Sequence, residues 1–521
     1  MGLIYNIDKR SAIPRWRNPV IALGAGEVSP VGISPIMSPY IYSRKAISEQ
    51  IFSWNKYKTV GHAADLLSAA YTLGIENEFI DVAEFLYHHR GNISPILSKL
   101  VDYILNDDKS FSSSLEVNVG FYTEEGQSKI IKELGTIRNY LKQEPKNPLG
   151  WIELARNHAM LGNVEKSKKA VANALSVNDT SDRFVLRSAS RFFHHLGDDE
   201  RAHSIIKKSR NLKIDPWLIS SEIAFSTILD RKSTLIKTGK EFLKSQKFSP
   251  FQLSELASSI GTVEFRQGDV KSAKAMFKAA LLSPNDNSLA QVLWFQKKIP
   301  FIDISAKLLE MPLAFEAQTQ AFYNNSRYEE ACKSALRWLN DEPYSTRPVR
   351  LASYISTIFL ENTKTSIEIL KHGIKVNPKD LKLLNSLSYN LLLENKIEEA
   401  EKLFKRYDSK SIRDASLETK IALVATDGLY HFRKNNIETG REYYMHSIDF
   451  AAKQKNDYLH ALAIANYVRE EIIICNDKNV HADKLRINSL IGKLIDLTKD
   501  MKYADVLKLK EKALAEFAKT T

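Results

Sequence analysis

GDVKSAKAMFKAALLSPN, residues 268–285, is the stretch on which the fold of this chain turns. Ala273, Phe277 and Ala280 recur at helical spacing and share one face, and Pro284 marks the end of the run. A small residue followed four positions later by a larger apolar one lets two helix backbones approach while the larger group fills the adjoining gap. The same pairing returns along the chain as Ser167/Val171, Ala202/Ile206, Gly239/Leu243, Ala331/Ala335, Ser366/Leu370, Ala400/Phe404 and Gly440/Tyr444. Including Ala273/Phe277, successive pairs stand 35, 37, 34, 58, 35, 34 and 40 residues apart. A period of that length predicts an all-α stack of antiparallel helical hairpins, each packed on its neighbours.

Other stretches share the pattern. NKIEEAEKLFKRY (395–407) follows LLNSLSYNLLLEN (383–395) as a second helix follows a first, and NSRYEEACKSALRWLNDEP (325–343) keeps Tyr328, Ala331 and Pro343. Asn147-Pro148 opens another first helix with Trp151, Leu154, Ala155 and His158, and Gly162-Asn163 turns the chain. Across residues 148–450 the chain resembles the tetratricopeptide repeat (TPR). In that family the first helix of each hairpin, helix A, carries Trp, Leu-Gly and Tyr. The second, helix B, carries Ala, an aromatic residue, Ala and a closing Pro. The segment before Gly239 and the short segment 286–311 depart from it. The resemblance implies a right-handed α-solenoid, a TPR-like superhelix that is non-catalytic and binds a protein or peptide on helix-A residues of its inner face. By register those residues are Arg156, Arg183, Arg266, Tyr323, Asn324, Asn385, Tyr389, Phe432 and Arg433. It also implies a scaffold for complex assembly; a bacterial regulatory or defence system is one setting for such a protein.

Outside the array the composition changes. Residues 1–45 hold five prolines and four glycines, which oppose helix, yet also many apolar groups, Trp16 among them. This reads as an extended arm that packs along a groove, its own or that of a second copy in a homo-oligomer. Residues 46–127 form an N-terminal helical region whose last part, 106–127, reads as irregular. The repeat array runs over 128–455, and helices over 456–521 cap the solenoid.

The net charge is +12 over 521 residues, and it is unevenly spread. Residues 1–60 carry +5, residues 61–200 carry −5 and residues 201–250 carry +7. Such local fields attract anionic partners. The alternative function is therefore nucleic-acid binding through Arg15, Trp16 and Arg17 of the arm and Lys207, Lys208, Arg210 and Lys213 of the basic block. Cys332 and Cys475 are too far apart in sequence for a metal motif, and their number fits the cytoplasm. No run approaches the roughly 18 apolar residues of a membrane span.

Motifs for chemistry lack their context. Gly24-Ala-Gly26 with Ser29 echoes a dinucleotide fingerprint, but Pro30 and Pro35 oppose the helix it requires. His195 and Asp199 have helical metal-ligand spacing, but Gly197 interrupts them, and no metal or other cofactor is expected. Arg441 and His446 have the Arg-x4-His spacing of HEPN-type ribonucleases, a third and weaker reading inside a helix B. The chain is not expected to be an enzyme.

Overall fold

A computed structural model describes residues 10–18, 22, 47–73, 75–105, 122–177, 182–245, 247–296, 298, 304–478, 484–501 and 503–518. The described residues contain 27 α-helices and no strand, and successive helices pair as hairpins. Among them no helix is long and apolar enough to cross a membrane.

Each hairpin is punctuated by local chemistry. Helix A of the first repeat, Pro148–Met160, has Pro148 in its first turn, and the Asn147 side chain accepts from Gly150 N at 3.1 Å. Asp182, Asp215 and Asp380 cap later A helices in the same way, and Ser249 and Gln252 form a reciprocal capping box. A residue with positive φ then turns the chain into helix B. These are Gly162, Gly197, Asp230, Gly268, Ser326, Glu361, Asn395 and Asn435. In seven of the eight hairpins it lies five positions before the small residue that faces helix A, as Gly268 lies before Ala273. The exception is Asp230, nine positions before Gly239, where residues 229–235 form a longer connection. That connection is the departure seen in the sequence.

The phased pairs lie on the buried face of the B helices. Ser167, Val171, Ala202, Ile206, Ala273, Phe277, Ala331, Ala335, Ser366 and Leu370 are all fully buried, whereas Leu243 and Phe404 are half-buried. Close approach is literal at two glycines. A Cβ on Gly440 would lie 2.2 Å from Phe432 Cδ1, and one on Gly428 2.7 Å from Tyr444 Cδ2. At the irregular joint, Asp286–Gln296 is an ordinary helix, but the only described helix between it and Phe315 is Ala306–Leu309. Leu289, Ala290, Leu293, Ala314 and Ala317 close the core there.

The helix Glu124–Gln143 begins inside the segment expected to be irregular and crosses the expected boundary at 127. Thr123 caps it, Glu124 and Glu125 suit its N-terminus, and Ile130, Leu134, Ile137 and Leu141 form its buried stripe. Residues 106–121 lie outside the described residues. The C-terminal segment forms three helices, Asp457–Lys478, Lys484–Thr498 and Ala504–Ala518.

The chain divides into two compact units. One is Asp8–Ala321 with Leu336–Ser345; the other includes Phe322–Ala335 and Thr346–Thr521.

Candidate functional site

In the first unit, residues 10–18 adopt no helix or strand, and most of their side chains are buried. Pro14 removes an amide donor and opposes helix in this stretch. Among the described residues it meets the helix Arg183–His195, the helix Asp286–Gln296, the start of Phe315–Asn324, and residues 338–345, which line a cleft.

Three arginines of the arm meet four carboxylates of the cleft. Arg10 Nε and Nη2 donate to the two oxygens of Glu316 at 3.1 and 2.9 Å, and the guanidinium also reaches Asn287 at 3.0 Å and Gln291. Arg15 donates to Glu342 at 2.9 Å and to Glu316, with Asp286 at 3.2 Å. Arg17 donates to Asp341 at 2.5 Å and to the carbonyl of Leu313 at 2.6 Å. All seven charged groups are almost fully buried. From the cleft side, Arg191 adds a further cation 3.7 Å from Glu342.

The electrostatics follow from burial and proximity. Burial opposes charge on Arg15, but Asp286, Glu316, Glu342 and Asp341 outweigh it and hold the guanidinium protonated even more firmly than usual. Burial pushes the Glu342 carboxyl up, yet Arg15 and Arg191 together bring it below the ordinary carboxylate range. At Asp286 burial prevails over Arg15 and Arg17, and its pKa stays raised.

Trp16 fills the aromatic part of the cleft. It is fully buried, edge-on to Phe192 at 5.5 Å and tilted over Tyr344 at 4.6 Å. Tyr344 donates its hydroxyl to the Trp16 carbonyl, and Asn287 and Gln291, one helical turn apart, donate to the carbonyls of Ile13 at 2.9 Å and Arg10 at 3.2 Å. Burial, with help from Arg191 and His194, pushes the nearby His195 down to about 3, so its imidazole is neutral at pH 7.

The arm residues expected to contact nucleic acid, Arg15, Trp16 and Arg17, are thus enclosed by protein in this conformation, because cleft carboxylates take the place of phosphates. The same burial sets residues 10–18 in a groove of their own chain, so pairing two copies through them would require their release. Lys207, Lys208, Arg210 and Lys213 are exposed.

The helix-A residues predicted to bind a partner differ in placement. Arg266 and Asn324 are exposed, and Tyr323 is half-buried. Arg156 is buried and donates to the carbonyls of Asn340 and Asp341 at 2.7 and 3.0 Å, forming part of the cleft wall. Arg183 is buried over the Trp217 ring, 5.1 Å from its centre. In the second unit Asn385, Tyr389 and Phe432 are buried, and Arg433 pairs with Glu470 at 2.6 Å. Phe432 packs on Tyr444 and serves the hairpin core.

The ribonuclease pair is not assembled. Arg441 donates to Glu471 at 2.8 Å and to Glu438 at 2.6 Å, while His446 is exposed. Five helical positions rotate the two side chains well apart. His194, not His195, meets Asp199, at 2.5 Å, and no group of residues able to hold a metal occurs among the described residues. Gly24, Gly26 and Ser29 lie outside the described residues.

Sequence reasoning missed the acidic cleft. Asp286 and Glu316 lie within the 58-residue interval in the repeat and Asp341-Glu342 follow it, so the broken period was the available signal.

No protein-family model matches the chain, and no curated protein matches it. Solved structures are similar at low identity. The human IFIT1 dimer with PPP-AAAA shares 13% identity and a TM-score of 0.30, over 94% of this chain and 96% of that one. Yeast Tom70 shares 13% identity and a TM-score of 0.29, over 78% and 95%. Naa15/Naa10 bound to HypK-THB shares 12% identity and a TM-score of 0.25, over 91% and 92%.

Proposed function

We propose that this chain is a non-catalytic, cytoplasmic scaffold of degenerate TPR type that binds an extended protein segment on its helix-A side chains and supports complex assembly. One observation carries the reading: residues 10–18 lie extended in a cleft, their carbonyls held by Asn287, Gln291 and Tyr344 and their side chains read by carboxylates and aromatic rings. Bonds to the main chain supply affinity and side-chain pockets supply specificity for an extended peptide. The test places a photo-crosslinking residue at Arg266 or Asn324 in the full chain, with Leu485, which is 86% exposed, as reference. Protein adducts at the first two positions and not at Leu485 support the reading. Adducts equally frequent at Leu485, or none, defeat it.

A second reading, nucleic-acid binding, keeps the exposed cluster Lys207, Lys208, Arg210 and Lys213. It predicts that log affinity for single-stranded RNA falls linearly with log salt, with a slope reduced by about 0.7 for each phosphate-contacting lysine replaced by glutamine. Absence of RNA binding at about 50 mM salt, a low-salt condition where such binding is strongest, removes it.

A further inference from the structure

Building on the peptide-binding reading, we propose that the acidic cleft is a recognition site for an extended partner segment carrying an arginine–aromatic–arginine triplet, and that residues 10–18 occupy it as a tethered stand-in. The cleft divides recognition into two parts. Asn287 and Gln291 grip backbone carbonyls, which every peptide offers. Asp286, Glu316, Asp341 and Glu342 select cationic side chains on either side of an aromatic pocket. Paired carboxylate oxygens match the planar guanidinium fork better than a lysine ammonium, as at Arg10 on Glu316. Among the described residues the buried Trp16 Nε1 makes no hydrogen bond, so the pocket reads the aromatic face and accepts Phe as well.

A permanent structural plug has no need of this chemistry. Well-packed apolar residues stabilise a buried position as well as an ion network does, and often better. A lining of carboxylates instead makes the cleft demand a cationic occupant and reject others. A tether raises the local concentration of the arm to the millimolar range, so a competitor must bring further contacts of its own. The arm of a second copy brings the same contacts without the advantage of the tether, which favours a different protein as the source.

The test uses the full chain with a protease site inserted between residues 25 and 35, folded whole and then cut. The probe is a fluorescein-labelled peptide of residues 8–20, followed by anisotropy. The cut chain is expected to bind it at least tenfold more tightly than the uncut chain. A probe with Trp16→Phe should bind within about threefold of the parent. A probe with Arg10, Arg15 and Arg17 all changed to Glu should not bind. An uncut chain carrying Arg15→Glu and Arg17→Glu should bind the parent probe without cutting.

A cut arm that never exchanges with the probe while the protein stays folded overturns the proposal. So does unfolding of the protein when the arm leaves. Concentration-dependent dimers of the uncut chain that the probe dissolves overturn the assignment to a different protein. The scaffold reading fails separately. A partner crosslinking equally to cut and uncut chain leaves that reading standing and defeats this one. Probe exchange without any partner crosslink defeats only the scaffold reading.

Discussion

Arg15 concentrates the energetics of the cleft at a single residue. Its guanidinium serves Glu342, Glu316 and Asp286, all buried, and removing it strands those charges. Breaking a buried pair by deleting one partner costs about 3–5 kcal/mol, far more than the net worth of the pair. Arg15→Ala should weaken docking of the arm by that order, seen as much faster trypsin cleavage after Arg10 and Arg17. The effect carries a pH signature. In the parent, Glu342 is held below its ordinary range, so its contribution is present at neutral pH and fades on acidification through that lowered pKa. Without Arg15, burial dominates and the stranded carboxyls take up protons more readily. The difference between Arg15→Ala and parent should therefore be largest near pH 7–8 and shrink towards pH 5. A difference independent of pH would show that the carboxylates do not carry the docking.

Hairpins are set by their turns and their docking contacts. Lys455 has φ 50° between the helices Ile437–Lys453 and Asp457–Lys478, with an exposed side chain. A left-handed L-residue costs about 1–2 kcal/mol that glycine avoids, less what glycine loses in backbone freedom. Lys455→Gly should raise stability by about 0.5–1 kcal/mol in urea titration; a loss would mean the turn is held by the lysine itself. Gly440→Ala should do the reverse, by about 1–3 kcal/mol, since its Cβ would strike Phe432. Docking of the N-terminal helices depends on pH as well. Burial raises Asp65 to about 7 and Glu144 to about 7, and at Asp65 the neighbouring Glu144 charge adds to the rise. Their unfolded values lie near 4, so the folded state holds the extra protons between about pH 4 and 7. Stability of this contact falls as pH rises through that window and levels off above it. Hydrogen exchange in the helix Val60–Leu73 should be slower at pH 5.5 than at pH 8 after correction for intrinsic rates. Asp65→Asn, which can still accept from Lys146 N, should flatten that difference.

The sequence made these elements readable because caps, turns and small residues act within a few positions of one another, as Gly268, Ala273 and Phe277 do. The non-glycine left-handed turns were hidden, since Ser326 and Glu361 carry no local mark of positive φ. The destination of the arm was hidden for a different reason. Arg10 meets Glu316 at 306 positions' separation, and Arg15 meets Glu342 at 327. Periodicity says nothing about such a pairing, and the basic arm alone was equally consistent with an external anion.

At the scale of the whole molecule, an array coupled only to nearest neighbours confines a perturbation to adjacent hairpins. The arm-bearing unit departs from that rule. Arg156 bonds the carbonyls of Asn340 and Asp341, Arg191 reaches Ser345 and Glu342, and Trp16 stands between Phe192 and Tyr344. The arm therefore joins hairpins more than a hundred residues apart. Truncating a buried tryptophan costs about 3–5 kcal/mol, enough to shift the arm towards its released state. Trp16→Ala should lower hydrogen-exchange protection together in Arg183–His195, in Asp286–Gln296 and in residues 336–345, with far-ultraviolet circular dichroism unchanged. The helix Asp457–Lys478 of the other unit is the internal reference. Loss confined to Arg183–His195 would mean that Trp16 packs locally without closing the cleft. Arg156 and Arg191 also bridge these hairpins directly, so simultaneous loss across all three segments is expected if the arm adds to that hold, and restoration of protection in all three by the residue 8–20 peptide assigns the lost part to the arm.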